Sequence, residues 1–302
     1  FRDLAQYLGL RLVHMFMHFW SIEQNLAVAR GIGHIMYIFD AKHRNRARHN
    51  LSRAMPELSE KELKNMTLQS MQGLLCLGVE TMFTPRLVRL DTFNKVIEIG
   101  DFKSTLDLLL SDHNGVMMLT GHYGNWEVLG YAMAMLGFET VSVARPLDNP
   151  HISKFVFGIR EKQGQRIVAK KGAMTEVFET LENHGVVGFV ADQNAGAKGL
   201  FVDFFGRKAS TYKSIGLLAM QYEVPIVIGY ARRIGHGFKF KIGTQDLIRP
   251  EDWKSQDDPL RYITQRYTSA IEAFVREEPG QYLWLHRRWK TRPKGEMPER
   301  YD

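Results

Sequence analysis

The chain predicts an α/β fold, a mixed central sheet flanked by helices and preceded by a helical N-terminal segment. Two observations predict it. From about residue 95, short apolar runs alternate with helix-length amphipathic stretches, as crossover connections require. The first 90 residues lack that alternation and carry helical spacing instead. A length of 302 residues is enough to bury a full core. The organisation that follows is a segment of residues 1–40 and a main domain of residues 41–302.

The N-terminal segment is justified by its periodicity. Leu4 to Ile22 is mostly apolar, and its polar members Arg11, His14, His18, Ser21 and Asn25 fall three or four apart. That spacing predicts a helix with a wide apolar surface and one polar seam. Such a helix is either buried against the rest of the protein or lies in the plane of a membrane, with Phe19 and Trp20 near the headgroups. No run of about 18 residues is free of charge, so a clean span is not indicated. The sequence starts at Phe1, which leaves room for a longer hydrophobic anchor upstream. Ala41 to Arg53 is basic, and Ser59 with Glu62 forms a capping-box pattern opening a helix to about Phe83. Cys76, the single cysteine, sits in the apolar stretch Leu74–Val79 and reads as a small buried hydrophobe in a reducing compartment.

The α/β part reads in order as strand Val96–Ile99, helix Phe102–Leu110, strand Gly115–Thr120, helix Trp126–Met135, strand Thr140–Ala144 and helix His151–Lys162. Strand Arg166–Val168, helix Met174–Asn183 and strand Val186–Ala191 follow, then a long loop, Asp192–Lys213. Helix Ser214–Tyr222 and strand Pro225–Tyr230 come next. A loop of that length in a compact fold is more often functional than decorative. Its stretch Leu200–Gly206 (LFVDFFG) carries four large apolar residues, which suits packing, an acyl-chain wall or a bilayer contact.

Chemistry-bearing residues recur just past the apolar strands, where open α/β sheets keep their sites. His122 follows the first long strand, Arg145 the next, Asp192 and Gln193 the strand after, and Arg232 and Arg233 the last. Within Gly121–Glu127 (GHYGNWE) a histidine and a carboxylate stand five apart, a pair suited to deprotonating an alcohol near neutral pH. The set suits acyl transfer from a thioester to a hydroxyl. His122 takes the alcohol proton and returns it to the leaving thiol, and Glu127 fixes the ring, with Asp192 as a rival orienter. Glu127 also suits a helix cap. Arg145, Arg160 and backbone amides near His122 are candidates for oxyanion stabilisation. No zinc-type spacing of Cys and His appears, so no metal is expected.

The net charge of +7 points to an acidic partner: nucleic acid, anionic lipid or an acidic carrier protein. No P-loop, GxGxxG or nucleic-acid fold signature is present, which argues against nucleotide and nucleic acid. The run His286–Lys294 (HRRWKTRPK) reads as a solvated tail, or, with Tyr282, Trp284 and Trp289 nearby, as a packed segment turning its cations toward phosphates.

Four blocks in order make the chain resemble the late acyltransferases of lipid A biosynthesis in Gram-negative bacteria, the lauroyl and myristoyl transferases. GHYGNWE (121–127) is similar to their H-x4-D/E motif, and ARPLDNP (144–150) followed by Arg160 looks like their second block. ADQNAGAKGLFVDFFGRKAST (191–211) and LWLHRRWKTRP (283–293) resemble the third and the C-terminal ones. The resemblance implies an acyltransferase-like fold and an O-acyltransferase at the cytoplasmic face of the inner membrane. It implies acyl-carrier-protein thioester as co-substrate, no other cofactor, and a hydroxyl of a lipid A precursor as acceptor. By the same carry-over His122 and Glu127 are the catalytic pair and Arg160 and Asp192 complete the site. Two other readings compete: an enzyme of the same fold using acyl-CoA on another glycolipid or phospholipid, and a lipid-binding protein whose His–Glu pair is structural.

Overall fold

The computed structural model describes residues 1–111, 115–138, 140–162, 164–169 and 172–297. The final residues of the expected main domain, 298–302, lie outside them. Four helices open the chain: α1 (Arg2–Met17), α2 (Ile22–Phe39), α3 (Ala41–Ala54) and α4 (Glu60–Leu87). A short α5 (Phe93–Val96) leads into β1 (Ile97–Ile99), then α6 (Lys103–Leu110), β2 (Val116–Thr120), α7 (Trp126–Met135), β3 (Thr140–Ala144), α8 (Pro150–Glu161), β4 (Arg166–Ala169), α9 (Ala173–Glu182) and β5 (Val186–Val190). A hairpin of β6 (Leu200–Phe204) and β7 (Arg207–Thr211) follows, then α10 (Lys213–Tyr222), β8 (Ile226–Arg233), β9 (Phe240–Ile248), α11 (Pro250–Lys254) and α12 (Pro259–Glu277). Every strand and helix expected between residues 96 and 230 is present, with ends shifted by a residue or so, except β8, which runs on to Arg233.

The central sheet has seven strands in the order β1-β9-β8-β2-β5-β3-β4. β8, β2, β5, β3 and β4 run parallel. β9 is antiparallel to β8 and carries β1 parallel to itself, which makes the sheet mixed. β2 lies near the middle and is buried at all five positions, matching its uninterrupted apolar sequence VMMLT.

Two expectations are corrected and two alternatives are decided. The single helix expected over Leu4–Ile22 is two helices with a break at residues 18–21. Local side-chain hydrogen bonding outcompetes helix continuation there. Ser21 and Gln24 form a reciprocal capping box, and the amide of buried Asn25 donates to the carbonyls of Met17 and Ser21 at 2.8 and 2.9 Å. The expected seam residues Ser21 and Asn25 therefore close a joint between two helices. The long loop is largely the β6–β7 hairpin, turned by Phe205 and Gly206, both at positive φ (54° and 66°), as a two-residue hairpin of this hand requires. LFVDFFG is core packing: Phe204 stacks on Trp289 with centroids 5.7 Å apart, and Phe205 meets the edge of Trp284 at 5.5 Å. Of the two readings of the C-terminal run, the packed segment holds, since Trp284, Arg288 and Trp289 are fully buried.

Cys76 is buried, as expected, and its burial pushes the thiol pKa up. The N-terminal helices leave an apolar surface outside. α1 buries no residue, and Leu8, Leu12, Met15 and Phe16 along it are more than half exposed. α2 buries Leu26, Ala29 and Gly33 while Val28, Ile32, Ile35 and Phe39, at helical spacing, face outward. No described helix is long and apolar enough to cross a membrane.

Candidate active site

Parallel pairing of β2 with β5 sets the site. Thr120 and Val190 are register partners, and the Ala191 N–H donates to the Thr120 carbonyl at 2.8 Å. Two residues beyond each strand, His122 and Asp192 therefore stand abreast at the carboxyl edge. The His122 ring Nδ1 lies 2.6 Å from Asp192 Oδ1, and its backbone N–H donates to Oδ2 at 2.9 Å. Both side chains are almost wholly buried. Burial would raise the Asp192 pKa, but the charge and hydrogen bonds of His122 outweigh it and hold the carboxyl well below the usual range. Asp192 is thus an acceptor only, so the Nδ1 that faces it carries a proton. The Gln193 amide nitrogen sits 3.4 Å from the ring Nε2.

Two further rings pin the imidazole. Trp126 meets it at 4.8 Å and 68°, and His286 at 4.2 Å and 71°, both edge to face. The turn carrying His122 is fixed from below. Gly124 has φ 56°, and a Cβ there would come 1.9 Å from the Ala231 carbonyl oxygen, so only glycine fits. Asn125 caps α7 through Val128 N–H and donates to Glu80 Oε2 at 2.8 Å, while Arg233 binds the same carboxylate with two contacts of 2.7 Å. Tyr123 is buried, and its hydroxyl accepts from Arg232 Nε at 2.9 Å.

Glu127 does not orient His122 in this geometry, which corrects the expected pairing. Its Oε1 is 2.5 Å from Arg160, and the helix cap is supplied by Asn125. Five positions of turn and first helical residue send Glu127 toward α8, whereas strand register brings Asp192 beside the ring. Arg160 is thereby already paired, with its guanidinium over Phe157. Arg145 makes an ion pair with Asp148 at 3.2 Å on the open surface, with both side chains more than four-fifths exposed, and has no contact with the site. Of the predicted site residues, His122, Asp192 and Gln193 come together, Glu127 and Arg160 form a second pair, and Arg145 stands apart.

Sequence reasoning missed His286, Glu80 and Asn125 as parts of this centre. His286 was visible only as the first letter of a basic run. The Tyr282–Trp289 segment folds back under the site: Leu283 N–H donates to the His122 carbonyl, and Asn50 donates to the carbonyls of Trp284 and His286. Buried Arg288 donates to the carbonyls of Ser210 and Gln193 and to Thr211 Oγ1, tying this segment to the residues after Asp192. Burial, then the charge of His122, lowers the His286 pKa to about 3, so its ring is neutral. Donor atoms of His122, Asp192 and His286 lie within 4.8 Å of one another, a spacing that suits a cation, but one would have to break the 2.6 Å His122–Asp192 bond. The arrangement can remove a proton from a neutral nucleophile and store it as an imidazolium balanced by a buried carboxylate.

The model of the bacterial lipid A biosynthesis acyltransferase family matches residues 5–291. The chain is 25% identical to the lipid A biosynthesis lauroyltransferase of Escherichia coli (strain K12), covering 90% of this chain and 86% of that one. It is 24% identical to the lipid A biosynthesis myristoyltransferase of the same organism, over 84% of this chain and 77% of the relative. A lipid A biosynthesis acyltransferase of Haemophilus influenzae is 23% identical, over 85% and 80%. With a match across nearly its whole length, the chain belongs to the bacterial lipid A biosynthesis acyltransferase family.

Proposed function

We propose that the protein transfers a fatty acyl chain from an acyl-carrier-protein thioester to a hydroxyl of a lipid A precursor, at the cytoplasmic face of the inner membrane. The observation that carries the mechanism is the His122–Asp192 pair at adjacent strand ends, which ties up Nδ1 and leaves Nε2, met at 3.4 Å by the Gln193 amide, as the nitrogen to accept a proton. His122 Nε2 takes the hydroxyl proton as the oxygen attacks the thioester carbonyl. The tetrahedral intermediate collapses, the C–S bond breaks, and the leaving thiolate takes the proton back from His122, so no proton is gained or lost. Asp192 remains ionised throughout and balances the imidazolium. Glu127 and Arg160 are held as an ion pair beside the first turn of α7. The net charge of +7 favours both an acidic carrier protein and a phosphorylated lipid, and the outward apolar surface of α1 and α2 suits a bilayer surface.

The test is purified protein incubated with a lipid A precursor and either acyl-carrier-protein thioester or acyl-CoA, with product read by mass spectrometry. Product from the carrier-protein donor, absent in His122→Ala, is the expected result. Product from CoA alone would overturn the donor, and an active His122→Ala would overturn the enzymatic mechanism in favour of a lipid-binding role.

A further inference from the structure

Within the proposed acyl transfer, one group at the centre has no task. His286 lies edge-on to His122 at 4.2 Å, held by a backbone bonded on both sides: its N–H donates to the Leu283 carbonyl and its own carbonyl accepts from Asn50. Its Nδ1 is buried without a hydrogen-bond partner. A partnerless buried polar atom costs about 1–3 kcal/mol in general, and a phenyl ring would fill the same place without that cost. The residue is nevertheless only partly covered, so its accessible portion lies away from Nδ1. Its pKa near 3 means that the ring is a neutral imidazole, with one N–H to give.

We propose that His286 is a second catalytic imidazole, which donates a hydrogen bond to the carbonyl oxygen of the acyl donor while His122 moves the proton. A hydroxyl held by His122 Nε2 stands about 3 Å from the carbonyl carbon it attacks. The oxygen of that carbonyl then falls within reach of a ring whose centroid is 4.2 Å from that of His122. A neutral donor suits this place because His122 becomes cationic during the step, and a second cation 4 Å away would oppose it. The sequence-predicted candidates do not fill the role: Arg145 is on the surface, Arg160 is bound to Glu127, and the backbone N–H groups of residues 122–125 already donate to Asp192, Gly121, Gln281 and Ala231. No bond to His286 forms or breaks, and it neither gains nor loses a proton.

The inference rests on the acyltransferase reading, and the experiment separates the two. Steady-state kinetics compare wild type, His122→Ala, His286→Phe and His286→Gln, each checked for an unchanged melting transition. Removal of one oxyanion donor lowers kcat by about 10²–10³-fold. We expect that loss for His286→Phe, with KM within about threefold of wild type, and a recovery of roughly tenfold in His286→Gln, whose amide restores a donor. His286→Leu replaces the phenyl variant should that one not fold. A nitrogen-free variant with wild-type kcat, or equal losses in the Gln and nitrogen-free variants, overturns the proposal and leaves His286 as packing. An active His122→Ala instead overturns the acyltransferase mechanism itself.

Discussion

Asp192→Asn is the sharpest test of how the base is oriented. In the structure Asp192 accepts from both the backbone N–H and the ring of His122, at 2.9 and 2.6 Å. An amide keeps an oxygen for the backbone N–H but takes away the charge that faces the ring. A charge-assisted hydrogen bond contributes about 1.5–3 kcal/mol. The imidazolium formed in the transition state also loses its counter-charge, where unit charges at 4 Å interact by roughly 4 kcal/mol at an effective dielectric constant of 20. These overlap, so the transition state loses about 3–5 kcal/mol, which lowers kcat by about 10²–10⁴-fold. The assay is single-turnover acyl transfer with purified protein, so that product release does not mask the chemical step. Glu127→Gln is run beside it and is expected to lose less, because its partner is Arg160. Turnover within about tenfold of wild type in Asp192→Asn, with Glu127→Gln inactive, would refute the assignment and return the orienting role to Glu127.

Other outcomes follow from the same geometry. Glu80→Ala removes the shared partner of Arg233 and Asn125 beneath the His122 turn and strands a buried guanidinium; it should cost about 3–5 kcal/mol in chemical denaturation. Stability should also fall with acid: the His286 pKa is about 3 in the folded protein against 6.5 for a free ring, so the unfolded chain takes up a proton the folded one refuses. That contribution is complete above pH 6.5 and fades as pH falls toward 3, by up to about 1.4 kcal/mol per unit, and His286→Phe should flatten the slope between these limits. Finally, Leu12→Glu with Phe16→Glu on the bare face of α1 should weaken sedimentation with anionic vesicles while leaving the melting temperature unchanged, since both side chains already face outward.

Much of this was legible in the sequence because strands and helices between residues 96 and 230 follow apolar periodicity, which burial enforces. His122 and Asp192 were legible for the same reason: each directly follows an apolar run. Which carboxylate meets the ring was not, because it depends on the register of β2 against β5, strands 70 residues apart in their functional ends. Glu127 was the nearer candidate along the chain, but in space it meets Arg160. The N-terminal joint escaped because Asn25 and Ser21 fit helical spacing equally well as a seam; only their bonds to the Met17 and Ser21 carbonyls and to Gln24 reveal a stop. β7 escaped because its buried positions, Ala209, Ser210 and Thr211, lack an apolar pattern. His286 was masked by the five Lys and Arg residues that follow it in the run, although its own ring is held neutral.

The segment that closes under the catalytic turn has a consequence for biogenesis. Arg288 and Trp289 leave the ribosome some 160 residues after His122, and they hold the stretch following Asp192 in place. A nascent chain can complete its parallel strands well before then, yet its base stays unsupported until that last anchor arrives. Completion of the site is therefore a late event in synthesis, and a chain stalled or clipped ahead of Tyr282 would lack Tyr282, Trp284 and Trp289 from the core beneath His122.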